Sequence, residues 1–260
     1  MPACLRRQSF CGLHEVKIRY NRRAAGAIRN ILRPRQQPNV KHNIHLRLLA
    51  AVVSLVAIAA TPGPDVKAEA RAVDDHYNHL RALRAEFTEL YRGAGIERTE
   101  SGTLWLKKPG KMRWEYRSPR EKLFVSDGHS VWFYVPDDRQ ARKTQARDLD
   151  DLRSPLAFLL GKTKLEKELQ GLSLAPDVAP LSPGNLVLRG VPQALADRVS
   201  EIVIEVTPGH QLARIVINEV DGSATEYRFS EQKEDVQISD ERFHFSPPAG
   251  TETVEGDLGP

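Results

Sequence analysis

From Gly102 onward the chain alternates between apolar and polar positions, the period of a half-buried β-strand whose successive side chains face opposite ways. In "KMRWEY", Met112, Trp114 and Tyr116 share one face, opposite Arg113, Glu115 and Arg117. Pro109-Gly110 separates this run from "GTLWLKK" and reads as a turn. The stretch "KLFVSDGHSVWFYVP", Lys122 to Pro136, carries Asp127-Gly128 between two strand-forming runs, a strong hairpin signal. Further strands are predicted at "NLVLRG", "SEIVIEVT", "LARIVINEV" and "ATEYRFSEQ", with turns at Pro208-Gly209 and Asp221-Gly222. A polar strand or loop is expected near "RQARKTQAR", and "ETVEGDLGP" is expected to fray after "FHFSPPAG".

Helical spacing is rarer. Val73, Tyr77, Leu80 and Leu83 predict an amphipathic helix, with Asp74, Asp75 and Arg81 on other faces. Its end is ambiguous, because "RAEFTELYR" also alternates as a strand. Ser154–Gly161, "SPLAFLLG", predicts a short helix with Ser154 as cap, Pro155 in the first turn and Gly161 at the end. "TKLEKELQG" adds one turn or two. The fold class is therefore mainly β with a few helices (α+β): one antiparallel sheet of roughly nine to eleven strands and two or three helices.

One hairpin breaks the simple pattern. Val131, Phe133 and Val135 point one way and Trp132 and Tyr134 the other, so both faces of its second strand are apolar. The "LAFLL" body of the 154–161 helix is likewise apolar on every side. Two arrangements satisfy this: a cavity covered by movable helices, or an ordinary two-layer core with a few surface aromatics.

Charge divides the chain. Residues 1–70 hold 12 Lys/Arg against 3 acids, whereas residues 71–260 hold 26 against 31. The basic total thus comes from the leading segment, and a nucleic-acid partner loses its electrostatic footing. Lys41 and Arg47 precede the 13-residue uncharged run Leu48–Ala60, and Ala68-Glu69-Ala70 forms a small-x-small cleavage site. That run is shorter than the ~20 residues a spanning helix needs. Residues 1–39 read as an unstructured extension or a mis-called start, 40–70 as a cleavable signal peptide, and 71–260 as a single domain. The mature chain is expected to begin near Glu69 or Arg71, in the periplasm. Both cysteines, Cys4 and Cys11, precede it, so neither a disulfide framework nor a thiolate metal site is available to that domain.

Catalytic chemistry is hard to assemble from these residues. His76 and His79 share a helix face, but no third metal ligand is indicated, and neither a metal nor an organic cofactor is expected. Ser126, Asp127 and His129 crowd one hairpin turn, whereas triad members reach each other across a fold. Walker A, G-x-G-x-x-G and G-x-S-x-G motifs are missing from the sequence. The basic run Arg139–Arg147 reads as a solvated edge strand. The sequence argues against an enzyme.

The block "GTLWLKKPGKMRWEY…P…KLFVSDGHSVWFYVPDDRQ", followed by "FHFSPPAG", resembles the periplasmic carriers of outer-membrane lipoproteins, the LolA family. The resemblance implies an unclosed antiparallel β-barrel, or half-barrel, with a helical lid over an apolar cavity. It also implies a monomer that takes acylated lipoproteins from an inner-membrane ABC transporter to an outer-membrane receptor. Candidate cavity residues are Leu104, Leu106, Met112, Trp114, Phe124, Trp132, Phe133 and Tyr134, drawn from both hairpin faces because the lining face is open. Pro155, Leu156, Phe158, Leu159 and Leu160 would form the lid. The family's arginine before the proline, which helps hold the lid shut through its carbonyls, is Lys108 here, with a compact ammonium instead of a planar fork. Met112 replaces the family's aromatic. Two other readings remain: a half-barrel for another hydrophobic ligand, and a structural or interaction β-domain with a filled core.

Overall fold

The computed structural model describes residues 63–146 and 164–256. The segments 1–39 and Val40–Ala60, and the expected helix at Ser154–Gly161, lie outside the described residues.

Asp65 starts the first helix, α1 (Val66–His79), its carboxylate accepting the N–H groups of Lys67 at 3.0 Å and Ala68 at 3.2 Å. Glu69 in the first turn and His76 and His79 in the last suit the helix dipole. Ala70, Val73 and Tyr77 form the buried stripe. The helix stops at His79 and β1 (Ala82–Gly93) begins, so Leu83, assigned to the helix by its spacing, belongs to the strand. The alternation of "RAEFTELYR" wins because β1 is bonded on both sides, by β2 and by β11.

Eleven strands follow β1: β2 (Ile96–Lys107), β3 (Lys111–Ser118), β4 (Lys122–Asp127), β5 (Ser130–Val135), β6 (Gln140–Gln145), β7 (Leu169–Leu174), β8 (Leu186–Pro192), β9 (Val199–Val206), β10 (Leu212–Glu219), β11 (Ala224–Glu234) and β12 (Glu252–Glu255). Together they form one 12-stranded sheet in the order β12-β6-β5-β4-β3-β2-β1-β11-β10-β9-β8-β7. Its two ends, β12 and β7, are not bonded to each other, so the sheet is unclosed. Only β12 runs parallel to its neighbour, β6.

The sheet has one strand more than the upper expectation of eleven, and two of its strands lie where none was expected. The "TKLEKELQG" stretch makes a single turn, α2 (Leu165–Glu168), and then enters β7, whose period-2 pattern is broken by Gly171 at φ +68° and a register shift between Gln170 and Ser173. The expected frayed end instead supplies β12, a strand with four exposed residues that exists through its backbone pairing with β6.

The turns follow their residue chemistry. Gly128, at φ +94°, occupies the β4–β5 turn, where the Asp127 carboxylate accepts the N–H groups of His129 and Ser130 at 2.7 Å each.

The sheet has an inner face, on which α1 packs, and an outer face. The largest apolar cluster lies on the inner face and joins Val73 and Tyr77 of α1 to Leu104, Trp114, Ile204 and Ile215 of the sheet. On the outer face the segment after β11 crosses β2–β5 as a strap, burying Ile238 and Phe243 with Leu123 and Val125. Asp240 fixes the strap through Lys107 at 2.5 Å and Lys111 at 2.8 Å, and Arg242 stacks over Trp105 at 4.6 Å. Elsewhere on that face, Glu205 accepts the Leu181 N–H and the Asn185 amide at 2.7 Å each and pairs with Arg214 at 2.7 Å, holding the 175–185 loop.

Candidate functional site: the helix-covered inner face

Antiparallel register places cross-strand partners on one face, so the inner face can be read as rows running across the strands. The first row contains Leu83, Leu106, Met112, Ser126 and Val131. The second contains Ala85, Leu104, Trp114, Phe124 and Phe133. Phe87, Gly102, Tyr116 and Lys122 make the third, and Glu89 with Glu100 the fourth. Along the face the chemistry passes from aliphatic, through aromatic, to charged.

The aromatic rows interlock edge to face. Phe87 meets Trp114 at 4.7 Å and Tyr116 at 4.9 Å, and Trp114 meets Tyr227 at 5.8 Å and Phe229 at 6.3 Å. Gly102 makes this possible: a Cβ there would lie 1.9 Å from the Glu115 carbonyl oxygen and 2.9 Å from Phe87. The Trp114 indole N–H is buried and finds no acceptor among the described residues. A buried donor of this kind calls for a specific reason.

Two residues past Leu106 of the first row, the turn between β2 and β3 carries Lys108. Its ammonium donates to the Tyr77 carbonyl and, at 3.0 Å, to the Asn78 carbonyl, both at the C-terminal end of α1. These oxygens belong to the last turn, which has no further helical N–H to satisfy it. Partial burial pushes the Lys108 ammonium below its ordinary pKa. The other attachments of α1 are also largely polar. The Leu212 N–H donates to the Tyr77 hydroxyl at 3.0 Å, His76 pairs with Glu234 at 3.0 Å, and His210 pairs with Glu69 at 2.9 Å. The Asp74 carboxylate accepts the Leu165 N–H at 3.1 Å, and burial raises its pKa above the usual carboxylate value.

The expected cavity residues divide between the two faces. Leu104, Leu106, Met112, Trp114 and Phe124 belong to the inner cluster, and Phe133 shares their face by pairing with Phe124. Trp132 and Tyr134 do not. They belong to the outer face, where Phe245 of the strap meets them at 5.6 Å and 5.3 Å. The two-faced apolar hairpin thus has two separate coverings, and one half of it is ordinary core. Pro155, Leu156, Phe158, Leu159 and Leu160 lie outside the described residues. Phe87 and Phe229 were not among the expected lining; the alternation in "RAEFTELYR" and "ATEYRFSEQ" carried the signal. His76 and His79 each have another partner, Glu234 and the Asp75 carbonyl, and no group of three metal-ligating side chains converges among the described residues.

The family described as "Outer membrane lipoprotein carrier protein LolA" matches residues 78–246. An outer-membrane lipoprotein carrier protein of Nitrosospira multiformis is 30% identical over 181 residues, covering 68% of this chain and 83% of the relative. One from Chromobacterium violaceum is 30% identical over 207 residues, covering 78% and 97%. Among solved structures, a LolA superfamily protein from Nitrosomonas europaea aligns with a TM-score of 0.39 at 9% identity, covering 70% of this chain and 98% of that one.

Proposed function

Because this chain belongs to the LolA family of outer-membrane lipoprotein carriers, we infer that it carries acylated lipoproteins with their acyl chains sheltered on the inner face. The observation that carries this reading is the mismatch between that face and its cover. Rows of Leu, Met, Trp and Phe share one cluster with α1, yet α1 contributes only Ala70, Val73 and Tyr77 fully buried and Val66 in part, and several of its other contacts are polar groups along its rim. Solvent-exposed polar contacts can be exchanged for water at little net cost, whereas buried apolar area cannot. Such a helix can lift without dismantling the sheet.

The physical task matches. Each acyl methylene exposed to water costs about 0.8 kcal/mol, so a free chain does not cross an aqueous compartment unaided. Placed on the inner face, it replaces contacts that α1 makes when closed, so loading and release exchange one apolar neighbour for another. Lys108 then serves as a latch, biasing α1 toward the sheet through the Tyr77 and Asn78 carbonyls. Pro155–Leu160 would add a second, wholly apolar piece of cover. In this reading the compartment is the periplasm, the donor an inner-membrane ABC transporter and the acceptor an outer-membrane receptor, and no catalytic step takes part.

The test is release of radiolabelled lipoproteins from spheroplasts. Adding the purified chain is expected to bring acylated lipoproteins into the soluble fraction as a complex with it. Lipoproteins that stay with the spheroplasts at every concentration added would refute the carrier reading.

A further inference from the structure

We propose that the charged cluster formed by the Glu89–Glu100 row and the Lys122 ammonium that reaches it from the row before is the floor of the acyl-binding face and sets the longest chain the protein accepts. The proposal rests on the carrier reading and adds a determinant of substrate length to it.

The row stands where the apolar face ends. Phe87 and Tyr116 form the level before it, and two residues farther along β1 comes Glu89, paired across the strands with Glu100 and with Tyr227. Both carboxylates are withdrawn from water, Glu89 at 7% and Glu100 at 4% exposure. They are held within the sheet. The Tyr116 hydroxyl donates to Glu89 at 2.8 Å, and the Lys122 ammonium, lying 4.3 Å from the Tyr116 ring centre, donates to Glu100. Arg98, half exposed on the far side, stands 3.2 Å from Glu100 and 3.9 Å from Glu89. Burial, with Glu100 beside it, pushes the Glu89 carboxyl above its usual pKa, against the Tyr116 hydrogen bond.

An ordinary carrier of hydrocarbon gains nothing from buried charge on its lining face, and like charges set directly opposite each other on a sheet are unfavourable. As an end stop, the same row is useful. A methyl terminus can rest against Phe87 and Tyr116, but advancing farther would separate buried ions from their partners with no polar group to replace them. The length fits a fatty chain. From Lys108 to Gly102, the level of Phe87 and Tyr116, the chain advances six residues, about 20 Å at ~3.4 Å per residue, close to an extended chain of about sixteen carbons at ~1.3 Å each.

Binding of free fatty acids of ten to twenty carbons to the full domain tests this. For the wild-type protein, affinity is expected to rise roughly fourfold per methylene and to stop rising near sixteen carbons. In the double variant Glu100→Leu/Lys122→Met, which removes both members of one pair, the limit should move by several carbons, and the twenty-carbon acid should bind at least about tenfold more tightly than to wild type. A folded double variant with the wild-type length profile would overturn the proposal. A second measurement needs no substitution: a sixteen-carbon acid carrying a terminal diazirine should label Phe87, Tyr116 or Glu89 of the wild-type protein. Labelling confined to the Lys108 end would also overturn it. If the wild-type protein binds none of the series, the carrier reading itself falls, and the floor with it.

Discussion

Replacing Lys108 by Leu isolates the latch. The ammonium donates two hydrogen bonds, to the Tyr77 and Asn78 carbonyls. A hydrogen bond to a charged group is worth about 1.5–3 kcal/mol, but two corrections reduce the sum. The group is partly exposed, so solvent screens it. Its pKa is also lowered by desolvation, which means that part of the gain offsets burial of the charge. A net loss of about 1–2 kcal/mol for the docked helix is expected, raising the undocked population by roughly 5- to 30-fold. Hydrogen exchange reads this directly. Amides of α1, from Ala70 to His79, should lose protection by that factor, while the central strands β1, β2 and β3 keep theirs. An apolar fluorescent probe should bind more readily to the variant. Lys108→Arg should restore protection, because a guanidinium can reach the same two carbonyls. If Lys108→Leu leaves α1 exchange and probe binding at wild-type values, the latch does not exist and Lys108 is a solvated turn residue.

Tyr77→Phe should cost about 1–3 kcal/mol in urea unfolding, because it strands the buried Leu212 N–H without an acceptor. Gly102→Ala should be at least as damaging as a typical overpacked core, about 1–3 kcal/mol or more, since its Cβ meets backbone at 1.9 Å; a variant with wild-type melting would contradict the close packing of β2 on β3. The Asp240 carboxyl is held down to about 2 from 3.8 by Lys107 and Lys111. Its contribution is therefore complete above pH 3.8 and lost as pH falls toward 2, so limited proteolysis of the strap should accelerate across that window in wild type and be insensitive to it in Asp240→Asn. Mass analysis of the N-terminus from envelope fractions should find Glu69 or Arg71 first; a start at Glu69 retains the pairing with His210, and a stable species retaining residues 48–60 would refute cleavage.

Local chemistry by itself determined most of the strands. Alternation in "KMRWEY" and "KLFVSDGHSVWFYVP" and the turn pairs Pro109-Gly110 and Asp127-Gly128 are properties of neighbouring residues, so they can be read without knowing what lies across the fold. The half-barrel came from the family resemblance of the Gly102–Gln140 block, not from local chemistry. Where the pattern served two structures equally, only tertiary contact decided. The chain from Leu80 to Arg92 fits helix or strand by periodicity, and bonding to β2 and β11 made it β1. β12 has no apolar pattern at all, because its stability comes from backbone groups on β6. The hairpin aromatics show the limit most clearly. Sequence puts Trp132 and Phe133 on opposite faces but cannot say which face meets a helix and which a strap, since that depends on residues more than a hundred positions away, at Phe245. The Glu89–Glu100–Lys122 cluster was likewise hidden. Each residue looks like a solvated charge in its own strand; the register between strands sets Glu89 opposite Glu100, and the Lys122 side chain reaches that buried pair from the neighbouring row.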